Sequence, residues 1–371
     1  MLLTAIVFII ILSVLVLVHE IGHYFTARKL GVKIEEFGIG FPPKAWGYKS
    51  KKTGILYSVN WIPLGGFVKI KGEDGAHKED KDSFIAQKVW KRFAIIIAGV
   101  FMNFVLACVL LSIGFMIGAP QIIDNGDNSA LLKNKQVQVY EVSADSPAMD
   151  AGLEPGDAIL EIDGQALSSS SQVAEIIKTK EGQSVDIKVK RYDETLALSV
   201  SPVYFENLGQ PGIGVSVVST AIVSYPWYKS LWLGLKSGTL LTGQIVKGLA
   251  IVIKNLVTTG HAGLDVAGPV GIAVLTGQFT RMGIIYVIQF AALLSINLMI
   301  INFIPFPALD GGRALFLLIE KLRGKPINQK IENIIHTIGF ALLILLIIMI
   351  TGRDIFKFKD VFANIWNKFV S

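Results

Sequence analysis

The chain has 371 residues, of which 52% are hydrophobic and 17% are charged, and its mean hydropathy is +0.54. This composition excludes an ordinary soluble protein and predicts several membrane spans. The formal net charge is +6, but no nucleic-acid motif accompanies it. We therefore attribute the excess of Lys and Arg to cytoplasmic loops and expect no nucleic-acid partner. Because Cys108 is the single cysteine, an intrachain disulfide and a cysteine-based zinc site are excluded.

Four long apolar runs dominate the sequence, at residues 1–27, 93–118, 283–304 and 334–351. Each is close to the roughly 20 residues with which a helix crosses a bilayer. The first run has no basic residues before it and no small-residue cleavage site after it, so we expect a retained span and not a signal peptide. The basic loops between the runs predict that both chain ends lie outside the cytoplasm. The expected fold is a polytopic α-helical membrane protein with about four transmembrane helices.

Two of the connecting segments have strand-like patterns. Residues 35–73 alternate apolar and polar side chains and are broken by Gly and Pro, which predicts strands and turns. Because this segment is rich in apolar and aromatic residues, we expect a re-entrant β-sheet that enters the membrane beside the first helix. Residues 133–217 combine strand-like runs, a short helix and an Asp-Gly turn. They are expected to form one α+β domain outside the cytoplasm.

The remaining segments are amphipathic. The stretch at 228–257 mixes apolar side chains with Lys; it could add a span, but we favour a place on the membrane surface. The tail after residue 351 has the same character and is expected to lie on the membrane surface. The expected domains are, in chain order, an N-terminal membrane part at 1–118, an extracytoplasmic domain at 119–220, an amphipathic membrane-associated region at 221–282, a C-terminal membrane part at 283–351 and an interfacial tail at 352–371.

A cluster of ionisable side chains ends the first apolar run, in the sequence LVHEIGHYF. Such groups are costly inside a bilayer and are therefore usually functional. His19 and His23 are four residues apart, so both imidazoles project from nearly one helix face and can bind one zinc ion. Glu20 can take a proton from an attacking water and return it to a leaving amide nitrogen. The alternative, two surface histidines with a capping glutamate, is disfavoured by the apolar setting.

A catalytic zinc ion usually takes three protein ligands and leaves one position open for water. Asp310 is the favoured third ligand because it follows the third apolar run in NFIPFPALDGGR, where Pro and Gly interrupt the helix. Its alternative role is the N-cap of the next helix. The other candidates are His77 in a charged loop, His261 beyond the soluble domain, and His336, which more simply lies at the membrane interface where the fourth run begins.

Asn302 ends the third apolar run on the same side of the membrane as Asp310. Its amide could hold an extended substrate strand or the oxyanion that forms during hydrolysis. The alternative role is a hydrogen bond between two helices.

Several motifs occur in one order along nearly the whole chain: VHEIGHYFTAR, FGIGFPPK, IPLGGFVKIKGE, SFIAQKVWKRFAIIIAGVFMNF, VAGPVGI and NFIPFPALDGGR. Together they resemble the site-2 protease family of intramembrane zinc metalloproteases, and in particular the bacterial regulator-of-sigma-E protease group. The soluble segment, with AGLEPGDAILEIDG, is similar to a PDZ domain. Two features depart from the family's pattern. Val100 stands where a proline is common, and one PDZ-like unit is found where the best-known relatives carry two.

The resemblance implies the composition of the metal site. His19, His23 and Asp310 would bind one Zn²⁺ per chain, and Glu20 would act as the general base. Zinc is also the metal that these ligand types favour.

The resemblance also implies substrate-binding residues. Asn302 would help to bind the substrate or the tetrahedral intermediate. Gly38 and Gly40 would lie in the re-entrant sheet, which would pair with an extended substrate strand. The PDZ-like domain would bind a C-terminus or filter substrates by size.

The implied function is that of an intramembrane zinc metalloendopeptidase, which performs site-2 cleavage in regulated intramembrane proteolysis. Its substrates would be single-span membrane proteins that an upstream site-1 protease has already trimmed, such as anti-sigma factors, or signal-peptide remnants. The chain would be a multi-pass protein of the bacterial cytoplasmic (inner) membrane, in contact with the lipid bilayer. Both termini and the PDZ-like domain would be extracytoplasmic.

Three other functions are compatible with parts of the sequence. A membrane-anchored metalloprotease with a cytoplasmic catalytic domain would need a third ligand soon after the motif, but Glu35 and Glu36 lie in strand-like sequence. A metal-binding transporter would use the same ligands without needing Glu20. A non-catalytic membrane scaffold would use the PDZ-like domain, although the intact Glu20 disfavours this reading.

Overall fold

The computed structural model describes residues 2–123, 132–143, 145–192, 194–206, 209–259 and 267–357. The helices in this part of the chain are α1 (Leu2–Lys29), α2 (Val89–Ile117), α3 (Pro147–Asp150), α4 (Ser170–Lys178), α5 (Trp227–Thr259), α6 (Pro269–Met282), α7 (Ile284–Phe303), α8 (Asp310–Arg323) and α9 (Gln329–Lys357). The strands are β1 (Ile34–Lys49), β2 (Leu56–Ile70), β3 (Ala119–Ile122), β4 (Leu132–Val142), β5 (Ala158–Ile162), β6 (Gln165–Ala166), β7 (Val185–Arg191), β8 (Glu194–Val200), β9 (Val203–Phe205), β10 (Gln210–Gly212) and β11 (Val215–Val223).

Four of the described helices, α1, α2, α7 and α9, are long and apolar enough to cross a membrane. They correspond to the four apolar runs, which confirms the predicted number of candidate spans. α5 covers the amphipathic stretch as one helix of 33 residues and is not among these four. Its place on the membrane surface stays a prediction.

The fourth candidate span is longer than predicted. α9 continues to Lys357, so residues 352–357 belong to this helix and not to a separate interfacial tail. Asp354 in this extension is buried and accepts a 2.7 Å hydrogen bond from the backbone N–H of Gly271 in α6, which holds the helix in place beyond residue 351. The rest of the predicted tail, residues 358–371, lies outside the described residues.

The chain divides into two compact units. The first comprises Met1–Ile113 and Leu231–Ser371, and the second comprises Gly114–Ser230. The domain predicted at residues 119–220 lies inside the second unit.

In the first unit, β1 and β2 form an antiparallel hairpin of four segments, because each long strand bends. Residues 34–39 pair with 66–70 on one side in opposite directions. On the other side, residues 36–39 pair with 56–59 in the same direction, and residues 56–60 pair in turn with 44–49 in opposite directions. The two inner segments are thus paired along both edges, whereas 66–70 and 44–49 are outer segments. The strands and turns predicted at 35–73 are present, and the entry of this sheet into the membrane stays a prediction.

Two glycines allow α1 and α2 of the first unit to pack closely. A Cβ atom at Gly22 would overlap with the backbone carbonyl of Ala98, and a Cβ atom at Gly99 would overlap with the His23 ring. Small residues let helix backbones approach each other in a membrane, where close packing replaces the hydrophobic effect as the driving force. The packing brings the C-terminal end of α1 against the middle of α2.

The second unit is built on a seven-stranded sheet with the order β3-β11-β4-β5-β7-β8, in which β6 pairs with β5. β7 alternates strictly, so that Val185, Ile187 and Val189 are buried and the residues between them are exposed. α4 adds Val173 and Ile177 to the same core. Burying each such side chain stabilises the fold by roughly 1.5–3 kcal/mol relative to leaving it exposed. This unit therefore has an apolar core of its own.

Candidate metal centre

Two imidazoles meet at the C-terminal end of α1. His19 and His23 are 7% and 8% exposed, and their Nε2 atoms are 3.1 Å apart. The four-residue spacing places both side chains on one face of the helix, as predicted from the sequence. Because α2 packs against this face, neither side chain points to bulk water.

The loop between α7 and α8 brings a carboxylate to these imidazoles. The Oδ2 atom of Asp310 lies 2.9 Å from Nε2 of His19 and 3.5 Å from Nε2 of His23. Asp310 is the first residue of α8, and the N-cap position is occupied by Leu309, which makes no side-chain capping bond. The carboxylate of Asp310 therefore faces the histidines and does not cap the helix.

Tight backbone packing fixes the start of α8. A Cβ atom at Gly311 would overlap with the carbonyl of Ile304, and one at Gly312 would overlap with the carbonyl of Phe306. Only glycine fits at both positions, so the loop folds back onto itself immediately after Asp310. The Pro and Gly residues that predicted an interrupted helix thus have a direct structural use.

His336 holds the same loop from α9 and is not a member of the cluster. Its Nδ1 atom accepts a hydrogen bond of 2.9 Å from the backbone N–H of Ala308. Ala308 has a φ of 81°, a conformation that non-glycine residues adopt only when their surroundings hold them in place. His336 therefore supports the loop two residues before Asp310, a role that its predicted place at the membrane interface did not anticipate.

Among the described residues, His19, His23 and Asp310 form the one group whose ligand atoms are placed to share a metal ion, all within 4.8 Å of one another. His77 lies 3.5 Å from Asp80, with about half of its side chain exposed. His261 lies outside the described residues.

Hydrogen bonds from α2 orient both imidazoles. Nδ1 of His23 lies 2.8 Å from the backbone carbonyl of Ile95. Because a carbonyl oxygen can only accept, Nδ1 carries the proton and Nε2 of the neutral ring presents a lone pair. Nδ1 of His19 lies 3.2 Å from the side-chain amide of Asn103. Asn103 is not among the residues predicted from the sequence, although a polar residue inside an apolar run is a usable signal.

Nε2 of His19, Nε2 of His23 and Oδ2 of Asp310 can all bind a cation, whereas they are poor hydrogen-bond partners for one another. A lone pair on Nε2 of His23 faces the Asp310 oxygen and the second imidazole at 3.5 Å and 3.1 Å. Two imidazole nitrogens and one carboxylate oxygen form a ligand set typical of catalytic zinc.

Glu20 lies beside the cluster and is held by the hairpin. Its Oε2 atom accepts a hydrogen bond of 3.0 Å from the backbone N–H of Val68, which belongs to the outer segment 66–70 of the hairpin. One carboxylate oxygen is thereby fixed, and the other retains its capacity to accept a proton. The geometry suits a general base that stays in one orientation.

Among the described residues, no hydrogen bond joins the predicted substrate-binding residues to His19, His23 or Asp310, and their role stays a prediction. Asn302 is partly buried, and within the described part of the chain its side chain makes no hydrogen bond. Gly38 is paired on both sides, with Phe67 and with Ser58, so its backbone offers no free edge to a substrate. A Cβ atom at Gly38 would overlap with the Phe67 ring, and one at Gly40 would approach the carbonyl of Ile62. Close packing of the hairpin accounts for both glycines.

Comparison with known proteins agrees with this geometry. The model of peptidase family M50 matches residues 7–346 of the chain. The chain belongs to peptidase family M50. The match includes the two histidines of α1 and the Asp310 loop. The predictions that the chain resembles the site-2 proteases and is a metalloprotease are thereby confirmed.

Named relatives of this M50 member cover nearly its whole length. It is 31% identical to the regulator of sigma-W protease RasP of Bacillus subtilis (strain 168), over 95% of this chain and 98% of that protein. It is 36% identical to a candidate zinc metalloprotease of Clostridium perfringens, over 92% of this chain and 96% of that protein. A segment covering 22% of the chain is 36% identical to the PDZ domain of an SdrC-like protein from Listeria monocytogenes, with 86% of that domain covered and a TM-score of 0.21. At so low a TM-score, the PDZ character of the second unit stays a prediction.

Proposed function

We propose that this M50 peptidase is an intramembrane zinc endopeptidase that hydrolyses a peptide bond within or beside a transmembrane helix of its substrate. The observation that carries the proposal is the convergence of Nε2 of His19, Nε2 of His23 and Oδ2 of Asp310. This convergence occurs at the end of α1, a helix apolar enough to cross a membrane.

Each residue of the centre has one role in this proposal. His19, His23 and Asp310 would hold one Zn²⁺ and leave one position for water. When bound, the metal supplies a Lewis acid that polarises the scissile carbonyl and lowers the pKa of the attacking water. Glu20 takes the proton of that water and returns it to the leaving amide nitrogen. The Val68 N–H keeps the Glu20 carboxylate in place during both transfers.

The hairpin supports an active site at membrane depth. Large apolar side chains of this sheet are exposed: Phe41, Trp46, Tyr48, Trp61, Ile62 and Leu64. Exposed aromatic and aliphatic groups in this number suit a lipid or peptide contact and not bulk water. β-structure is tolerated at membrane depth where protein covers it or where it lines a cavity.

A substrate would have to bind in an extended form, because a helix hides its carbonyls from attack. Extended peptides commonly add to the edge of a sheet. The inner segment that contains Gly38 has both edges occupied, whereas the outer segment 66–70 lies next to Glu20 through Val68. We therefore assign the substrate-pairing role to this outer segment, and Asn302 remains a candidate for contacting the bound peptide.

The proposed substrates are single-span membrane proteins that an upstream site-1 protease has trimmed, such as anti-sigma factors, and signal-peptide remnants. The name of the Bacillus subtilis relative, a regulator of sigma-W protease, is compatible with this class. We further propose that the chain resides in the bacterial cytoplasmic membrane, with both termini and a PDZ-like second unit outside the cytoplasm.

Cleavage of a tagged single-span protein by the purified, full-length chain in detergent tests the proposal. The wild type is expected to produce a cut product that Glu20→Gln does not produce. The matched control is Glu79→Gln, which removes an exposed charge outside both the cluster and the hairpin. This control is expected to cut at the wild-type rate.

Two outcomes would contradict the proposal. Equal cutting by the wild type and Glu20→Gln would show that another group acts as the base. Cutting that persists after the metal has been removed by a chelator, and that zinc does not increase, would exclude a metal-dependent reaction.

A further inference from the structure

Asn103 is a fully buried polar residue in the middle of α2. Its side chain is 0% exposed, although α2 is apolar enough to cross a membrane. Its Nδ2 atom lies 3.2 Å from Nδ1 of His19, and its Oδ1 atom has no hydrogen-bond partner within the described residues. Ser295 of α7 donates a 2.7 Å hydrogen bond to the backbone carbonyl of Asn103. The residue is therefore held on both its backbone and its side chain, with one buried acceptor unused.

The chemistry of a metal-bound imidazole conflicts with this amide orientation. If Nε2 of His19 gives its lone pair to a metal, Nδ1 must carry the proton of the neutral ring and must donate it. The NH₂ group of Asn103 can only donate, so it cannot accept that proton. The amide oxygen can accept it, and a rotation of 180° about the Cβ–Cγ bond exchanges the two ends of the amide with almost no change in shape.

The two histidines therefore differ in how their protons are fixed. The partner of His23 is the Ile95 carbonyl, which accepts in every state. The partner of His19 is an amide that can donate to a bare Nδ1 or, when rotated, accept from a protonated one. In the rotated orientation, Oδ1 also gains the partner that it otherwise lacks. Ligand orientation by such outer partners is a general feature of metal sites.

We propose that Asn103 is the positioning residue of His19, and that its amide oxygen accepts the Nδ1 proton of His19 when Nε2 holds the metal. The inference rests on the metal centre proposed above. It assigns to α2 the task of orienting both imidazoles, that of His23 through a backbone carbonyl and that of His19 through a side-chain amide.

The test compares variants at position 103 that differ in hydrogen-bonding capacity and little in size. Asn103→Asp can only accept, and Asn103→Leu can neither accept nor donate. Ser112→Ala is the matched control, because it also removes a buried polar group from α2. The Ser112 hydroxyl donates a hydrogen bond to the Cys108 carbonyl within the same helix. Full-length proteins in detergent are stripped of metal, and zinc affinity is measured by competition with a chromogenic chelator.

The expected result is an ordered series. Asn103→Leu loses affinity for zinc by about 10- to 100-fold, the range seen when outer partners of metal ligands are removed. Asn103→Asp binds zinc at least as tightly as the wild type, because a carboxylate accepts the Nδ1 proton more strongly. Ser112→Ala binds as the wild type does. The visible absorption bands of bound Co²⁺ shift in Asn103→Leu and are kept in Asn103→Asp and Ser112→Ala.

Other results would overturn the inference. Wild-type zinc affinity and Co²⁺ bands in Asn103→Leu would show that His19 needs no partner at this position. Equal losses in Asn103→Asp and Asn103→Leu would show that packing, and not acceptance of a proton, is what matters. Asn103→Ala replaces Asn103→Leu if the larger side chain prevents folding, with the same expected loss. A wild-type protein that binds no zinc would contradict the proposed function itself, and is thus distinguishable from a failure confined to Asn103.

Discussion

Two carboxylates with buried oxygen atoms, one in each unit of the chain, differ in how completely they are hydrogen-bonded. In the second unit, Asp157 is 1% exposed and both of its carboxylate oxygens are paired. Arg191 donates to Oδ1 and to Oδ2 at 2.7 Å each, and the backbone N–H of Glu154 donates to Oδ2 at 3.0 Å. In the first unit, Oδ2 of Asp310 lies near Nε2 of His19 and Nε2 of His23, and it has no hydrogen-bond partner among the described residues.

The same contrast holds for every buried side-chain atom that lacks a hydrogen-bond partner among the described residues. These atoms are Ser83 Oγ, Arg92 Nε, Asn103 Oδ1, Asp310 Oδ2 and His336 Nε2, and all of them belong to the first unit. Unpaired buried groups destabilise a fold unless a ligand or a water satisfies them. Fully paired groups such as Asp157 serve stability, whereas the unpaired atoms around α1 indicate a site that a ligand completes.

Removal of Asp310 is expected to have the largest effect and to act on function alone. Asp310→Ala should abolish cleavage and stoichiometric zinc binding, because one of three ligands is lost. The metal-free variant should unfold no more easily than the metal-free wild type, since the carboxylate lacks a full set of partners there. Metal analysis, a cleavage assay and thermal unfolding in detergent check this, with the exposed Asp74→Ala as control. A metal-free variant that is much less stable than the metal-free wild type would show that Asp310 also stabilises the fold.

Removal of Asp157 is expected to act on stability alone. Asp157→Ala leaves the Arg191 guanidinium without its main partner and should lower the free energy of unfolding of the second unit by about 3 kcal/mol. Zinc affinity should stay at the wild-type value. Hydrogen exchange of the sheet amides in the full-length chain measures the first effect, and chelator competition measures the second. The exposed Asp186→Ala serves as control, and unchanged exchange in Asp157→Ala would contradict the assignment.

Substitution of His336 is expected to have a smaller effect, on both zinc affinity and stability. His336→Phe removes the acceptor for the Ala308 N–H, and an unsatisfied donor costs about 1–3 kcal/mol. Because Ala308 lies two residues before Asp310, part of this loss should appear as weaker zinc binding, by about fivefold for each 1 kcal/mol. The matched variant His77→Phe alters an exposed histidine and should leave zinc binding unchanged. If both variants bound zinc equally well, the loop would not depend on α9.

The smallest expected effect is a pH dependence in the second unit. A backbone hydrogen bond from Asp186 and the Lys180 ammonium hold the pKa of the Asp163 carboxyl below its usual range. A carboxyl whose pKa is lower in the folded state stabilises the fold above its unfolded pKa of about 3.9. That contribution is lost as the pH falls through the folded pKa. Asp163→Asn should therefore reduce the difference in unfolding temperature of this unit between pH 6 and pH 3, and an unchanged difference would exclude this contribution.

The sequence was sufficient to predict the parts of the site that depend on local spacing. The four-residue separation of His19 and His23 fixes a shared helix face, and the helix breakers around Asp310 indicate a loop that can turn back to them. The four apolar runs predict the candidate spans because length and composition alone decide that property.

The sequence was insufficient where a role depends on contacts between distant segments. Asn103 and His19 are 84 residues apart, and His336 and Ala308 are 28 residues apart. Neither pair leaves a pattern in a single sequence beyond a polar residue in an apolar helix. The role of Gly38 in substrate binding stays a prediction from the resemblance of its motif to a substrate-pairing sheet. The register of the hairpin, which occupies both of its edges, could not be inferred from alternation of residue types.

The proposed function requires that His19, His23 and Asp310 hold one catalytic metal ion. Anomalous diffraction at the zinc absorption edge, from crystals of the zinc-loaded wild-type chain, tests it most directly. We expect a single zinc peak bonded to Nε2 of both histidines and to the Asp310 carboxylate, at distances of about 2.0–2.2 Å. A peak at any other group of residues, or no peak in protein that cleaves its substrate, would contradict it.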